Sequence, residues 1–257
     1  MTAQTEIITK IEQDLKSEPE KLITILNLWK DTQEQESIND NQPLPQEYEA
    51  AASENDLTAT NFNGAHVGLP AYYNYDNYAA QQSNTCGQAV IGSFVDFFNK
   101  NPFGLQRTVS GHDGKMHFDN LTFIGKIFKD FGPNYPFPNG VTVRETILAA
   151  CKHYGLKTHE WYPGSFSNGQ DAKKQLTDWI SKYRLPVAVL IDTGTPALGT
   201  PQPYTLHWCT VYAYDAGGVH IGTWATSRYV DWNTFMDAWH CKWLPYPNNF
   251  YQIRAWA

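Results

Sequence analysis

"QQSNTCGQAVIGSFVDFFNK", residues 81–100, places a thiol where a polar approach meets a buried helix. Beyond Cys86 and Gly87, the apolar residues Val90, Ile91, Phe94, Val95, Phe97 and Phe98 recur at helical spacing, so a helix is predicted to follow Cys86. A cysteine in that place has two readings. It can be a small packing residue, as buried free cysteines commonly are. Alternatively, it sits at the positive end of the helix macrodipole, where unpaired backbone N–H groups favour thiolate and can hold an oxyanion. The second reading needs a base, which must come from elsewhere in the chain.

Among the eight histidines, His207 is the candidate base. It opens the predicted strand "LHWCTVYAYD" directly after the Gly/Pro-rich loop "GTPALGTPQPYT", residues 194–205. A strand start beneath such a loop can turn a side chain into a cleft while its backbone is held. Cys209, two residues on, shares a face with His207 and is expected to pack beneath the site.

Working outward, helices are predicted over 119–131 ("DNLTFIGKIFKDF", stopped by Gly132 and Pro133), over "TVRETILAACKHYG" with Gly155 as its stop, over 171–183, and over "NTFMDAWHC". "LPVAVLIDTG" reads as a buried strand. "LHWCTVYAYDAGGVHIGTW" reads as a hairpin with Gly217 and Gly218 in its turn, and "YQIRAWA" as a last strand. Helices first and an antiparallel sheet afterwards make an α+β layout.

Composition bounds the function. At 257 residues and 42% hydrophobic content, the chain buries one large core, or a core plus a small appendage. Residues 1–58 hold 13 acidic side chains against 4 lysines; the remainder holds 13 acids and 15 bases. Neither part has the clustered Lys and Arg that phosphate neutralisation demands, which argues against nucleic acid. No apolar run approaches the roughly 18 residues of a membrane span. The start, "MTAQTEIITKIEQDLK", lacks a signal-peptide layout, and the four cysteines are widely spaced, so a cytoplasmic protein with free thiols is expected.

The acidic front predicts two short helices. Ile7, Ile8, Ile11 and Leu15 form one stripe; Ser17 and Glu20 form a capping box before a second stripe of Leu22, Ile23, Ile25, Leu26 and Trp29. Residues 31–48 read as a linker. The predicted organisation is therefore a hairpin and linker over 1–45 and a catalytic domain over 46–257. The hairpin is expected to dock on the body or on a protein partner.

Cys86-Gly87-Gln88-Ala89, and His207-Trp208-Cys209-Thr210-Val211-Tyr212-Ala213-Tyr214-Asp215, together resemble the papain-like cysteine peptidase fold in its peptidase C39-like branch. The resemblance covers residues 70–257. It implies a helical half carrying the nucleophile, packed against an antiparallel sheet carrying the base. It also implies a cysteine peptidase acting on a peptide or protein, with an acyl-enzyme on Cys86 and His207 as base. Amide or peptidyl transfer, and a non-catalytic peptide-binding module, are the alternatives. No cofactor is implied.

Two departures from the family pattern matter. The glutamine that helps hold the oxyanion is represented by Gln81 and Gln82, both nearer the cysteine than usual. The carboxylate or amide that orients the imidazole falls on Thr223. A threonine can hydrogen-bond an imidazole but cannot offset an imidazolium, which leaves a plain Cys–His dyad, recruitment of Asp231 or Asp192, or lost turnover. A metal reading has Cys151-x-His153, His207-x-Cys209 and His240-Cys241 as ligand pairs, but no tight cysteine knuckle supports it, and an i, i+2 pair on a helix diverges. The aromatic run "AYYNYDNY", residues 71–78, reads as a packed loop or as a wall of a substrate groove.

Overall fold

A computed structural model describes residues 65–66, 77–78, 82–83, 85–110, 115–131, 142, 144–161, 166–193, 195, 198, 206–223, 226–241 and 250–257. All of them belong to one compact unit, Pro45–Ala257. The predicted N-terminal hairpin, its linker and Gln81 lie outside the described residues.

Eleven described strands and five described helices alternate along the chain. The strands are β1 (Ala65–His66), β2 (Asn77–Tyr78), β3 (Gln82–Ser83), β4 (Arg107–Ser110), β5 (Met116–Phe118), β6 (Lys157–Trp161), β7 (Val187–Ile191), β8 (His207–Tyr214), β9 (Gly218–Thr223), β10 (Thr226–Asp231) and β11 (Gln252–Trp256). The helices are α1 (Cys86–Phe97), α2 (Asn120–Asp130), α3 (Arg144–His153), α4 (Gly169–Tyr183) and α5 (Trp232–Trp239). One seven-stranded antiparallel sheet has the order β10-β9-β8-β7-β11-β6, and β1 pairs with the end of β8. The architecture is α+β.

The helices form where the sequence supplies starts and stops. Asp119 caps α2 by accepting from the Thr122 amide, and Asn168 caps α4 through the Asp171 amide. At the end of α3, Gly155 adopts φ +77° and the Leu156 amide reaches back to the Cys151 carbonyl, a Schellman closure that favours glycine. Within α3, Cys151 is buried while His153 is exposed, as the divergence of i, i+2 positions on a helix requires.

The core joins helices to sheet. Arg144 of α3 donates to Glu160 of β6 at 3.0 Å, and the Tyr251 hydroxyl donates to the other carboxylate oxygen. A buried carboxylate needs such partners. On β11, Arg254 lies over the Trp179 ring of α4 at 4.6 Å, while its neighbour Ile253 stands opposite Glu160. Adjacent strand residues point to opposite faces, so α3 and α4 cover opposite faces of the sheet. Helix α1, with Ala89, Val90, Ile91, Phe94 and Val95 fully buried, packs against α2, α3 and β8.

Three features depart from the sequence expectation. The strands β4, β5 and β6, which the sequence expectation did not name, fall among the helices before α4. The strand "KTHEW" is an edge strand paired only with β11, so it lacks the apolar run that marks a buried strand. Likewise β10, at the other edge, extends the expected hairpin to three strands. The β4–β5 hairpin is tied to α1 through Asp96, whose carboxylate accepts from Arg107 Nε at 3.0 Å and pairs with His117 Nδ1.

Candidate functional site

Helix α1 begins at Cys86 itself, with Thr85 at the N-cap and the Ala89 amide donating to the Thr85 carbonyl at 2.9 Å. Its thiol therefore belongs to the first turn, the place where backbone N–H groups have no intrahelical acceptor. Cys86 is 8% exposed. Gly87 and Gln88 behind it are buried. The α1 helix packs against β8, whose first residue is His207.

His207 is 1% exposed, and its Nε2 shares a 2.6 Å hydrogen bond with Thr223 Oγ1, at the end of β9. The register explains why these two meet. Thr210 stands opposite Gly222 and Val211 opposite Ile221, so His207 and Thr223 are diagonal neighbours on one face. Burial pushes the imidazole pKa down to about 3. The ring is therefore neutral near neutral pH, with Nε2 engaged by threonine.

Cys209 lies on the same face, fully buried, and burial followed by the nearby Cys86 and Cys241 sulfurs pushes its thiol well up. Cys209 itself stays protonated, a packing residue. Trp208 alternates to the other face. There its indole N–H donates to the Thr142 carbonyl at 2.9 Å, and its ring meets Tyr251 edge-on at 5.4 Å.

Of the two aspartates weighed for the orienting role, Asp231 has its carboxylate engaged elsewhere. Asp231 caps α5, accepting from the Thr234 amide at 3.0 Å, and is exposed. It pairs with Gly218, five residues along β9 from Thr223, about 17 Å at strand rise. Asp192 follows β7 and donates its amide to the Ala238 carbonyl; burial, and then the Asp192 charge, raise the Cys241 thiol. Gln82 sits on the two-residue strand β3, paired with Tyr78 of β2. Gln81 and most of the aromatic run lie outside the described residues.

Sequence reasoning passed over Thr142 and the side chain of Gln88. The Thr142 hydroxyl donates to Gln88 Oε1 at 3.0 Å, and Gln88 Nε2 donates to the Phe131 carbonyl at 2.7 Å. "TVRE" reads as the start of a helix, and that local pattern hides the tertiary use of its threonine.

No family model and no curated protein sequence matches the chain. Solved structures give distant likenesses. A double glycine motif protease from an AMS/PCAT transporter, crystallised with a leader peptide, shares 11% identity at a TM-score of 0.44, over 74% of this chain and 93% of that one. The peptidase domain of Streptococcus ComA, a bifunctional ABC transporter involved in quorum sensing, shares 14% identity at a TM-score of 0.39, over 67% and 90%. A Bacillus anthracis protein assigned as a C39-like peptidase shares 12% identity at a TM-score of 0.46, over 74% and 96%. All three of these structures are peptidases or peptidase domains.

Proposed function

We propose that this protein is a cysteine peptidase in which Cys86 attacks a peptide carbonyl and His207 moves the proton. The observation that carries the reading is the buried His207–Thr223 hydrogen bond at the start of β8, the strand packed against the helix that begins at Cys86. With Nε2 donating to Thr223, Nδ1 is the nitrogen that takes the thiol proton. Attack by Sγ yields a tetrahedral intermediate, whose oxyanion is held by the Cys86 backbone N–H and by Gln81 or Gln82. The proton on Nδ1 then passes to the departing amine, leaving an acyl-enzyme on Cys86. Water releases the acid, with His207 again acting as base. Transfer of the acyl group to an amine uses the same residues with a different acceptor.

The neutral imidazole fits a base that accepts its proton only as attack occurs. A threonine partner favours that mode, because it orients the ring without stabilising a standing imidazolium.

A non-catalytic peptide-binding module is supported by the low exposure of His207 and by a hydroxyl where a carboxylate is usual. A labelled-peptide library digest read by mass spectrometry separates the two, with Cys86→Ala as control. The enzyme reading expects cleavage that Cys86→Ala abolishes. Cleavage that survives in Cys86→Ala, or none in either protein, sinks it. Iodoacetamide labelling adds a second measure: Cys86 should react well below about pH 8.5, the free-cysteine value.

A further inference from the structure

We infer that Thr142 is a positioning residue, a strut that fixes the start of the nucleophile helix against the start of the base strand; this rests on the Cys86–His207 reading above. Three contacts converge on it. Its side chain lies on the α-carbon of Gly87: a Cβ added there would come within 2.4 Å of Thr142 Cβ and Cγ2, and 2.7 Å of Oγ1. Its hydroxyl donates to Gln88 Oε1 at 3.0 Å. Its carbonyl accepts from Trp208 Nε1 at 2.9 Å.

Gly87 is bonded to Cys86, and Trp208 is bonded to His207. The path Cys86–Gly87···Thr142···Trp208–His207 therefore links the backbones of nucleophile and base through one buried residue, 1% exposed. Each contact fixes a different coordinate. The methyl and Cβ against Gly87 set how closely α1 approaches, and only glycine at 87 leaves room for them. The bond to Gln88 sets the rotation of the first helical turn, and Gln88 is in turn held by the Phe131 carbonyl. The indole bond sets the height of β8.

A merely space-filling threonine would also exclude a Cβ at 87 but would tolerate loss of the indole donor. A strut requires that donor. Misplacement of reacting groups by about 1 Å can cost roughly 10²-fold in rate, so small changes here should be read in the chemistry before they are read in stability.

The test is a size exchange in the full-length chain. Gly87→Ala is expected to slow iodoacetamide labelling of Cys86, and library cleavage, by about 10- to 100-fold. Thr142→Gly alone should slow both to a lesser degree, having lost the hydroxyl and the packing. The double variant Gly87→Ala/Thr142→Gly, in which the new methyl occupies the vacated space, should recover most of the labelling rate lost in Gly87→Ala. Thr142→Ala should not rescue, because the Cβ clash remains. Trp208→Phe keeps a ring against Tyr251 and should move the pH profile of Cys86 labelling towards that of free cysteine. The strut is overturned if the double variant labels no faster than Gly87→Ala while near-ultraviolet circular dichroism shows both folded. It is equally overturned if Trp208→Phe leaves the pH profile where it was. Failure of the peptidase reading looks different: Cys86→Ala would then cleave as the parent does, or the parent would not cleave, whatever the exchange does to labelling.

Discussion

At the scale of single residues, the site turns on what Thr223 can and cannot do for His207. Thr223→Val removes the hydroxyl at nearly constant shape and strands the buried imidazole nitrogen, an expected loss of about 1–3 kcal/mol of stability together with activity. Urea unfolding and peptide cleavage of the same preparation check this. Thr223→Asp puts a carboxylate beside the ring, which should raise the His207 pKa from about 3 and keep or increase cleavage. An NMR titration of the ring protons that shows no upward movement would count against Thr223 as the orienting position. By contrast, Asp231→Ala should lose a helix cap, lowering stability, and leave cleavage unchanged. His207 also makes stability depend on pH. The unfolded ring takes up a proton near pH 6.5, the folded one near 3, so protons bind the unfolded chain first. The contribution is fully present above pH 6.5 and declines by about 1.4 kcal/mol per pH unit as pH falls towards 3. Unfolding midpoints at pH 7 and pH 5 should therefore differ less in His207→Gln than in the parent; an equal difference would refute the assignment.

At the scale of elements, the three-stranded run β8–β9–β10 holds Thr223 in register, and its turn is built by Asp215. One carboxylate oxygen accepts from the Gly217 and Gly218 amides, at 2.7 and 2.8 Å, and from the Tyr229 hydroxyl at 2.9 Å. Gly218 is required by close approach: a Cβ there would meet the Val230 carbonyl oxygen at 2.2 Å. Backbone cannot move aside as a flexible side chain does, so Gly218→Ala should push β9 off β10 and lower stability by about 1–3 kcal/mol. Because Thr223 ends the same strand, the variant should also weaken His207 orientation. Thermal unfolding and cleavage measured together check this; loss of neither would mean that the turn is free of the site.

At the scale of the whole molecule, every described element belongs to the unit Pro45–Ala257. The two short amphipathic helices expected from the sequence over the N-terminal stripes lie outside the described residues; helices of that length are marginal alone, so the expectation requires a surface for them to cover. Deletion of residues 1–45 is expected to leave a folded protein whose Cys86 still reacts with a small thiol probe, while turnover of its natural substrate changes. An insoluble product would make those stripes part of the core.

The sequence by itself determined what local chemistry controls. Apolar periodicity after Cys86, the stop at Gly155 and the alternation of β8 were all legible, because each depends on neighbours within a few residues; the caps at Asp119 and Asn168 became visible only in the structure. The places of Cys86 at a helix start and His207 at a strand start were legible for the same reason. Tertiary structure alone decided the rest. Edge strands such as β6 and β10 carry no buried run and exist because a neighbouring strand offers hydrogen bonds. Thr223 reaches His207 through the pairing of β8 with β9, while Asp231, an equal candidate by residue type, is carried to the far end of the sheet by the same register. Thr142 meets Gly87 and Trp208 from 55 and 66 residues away. Nothing in the spacing of the chain announces such a contact, because packing, not periodicity, brings those residues together.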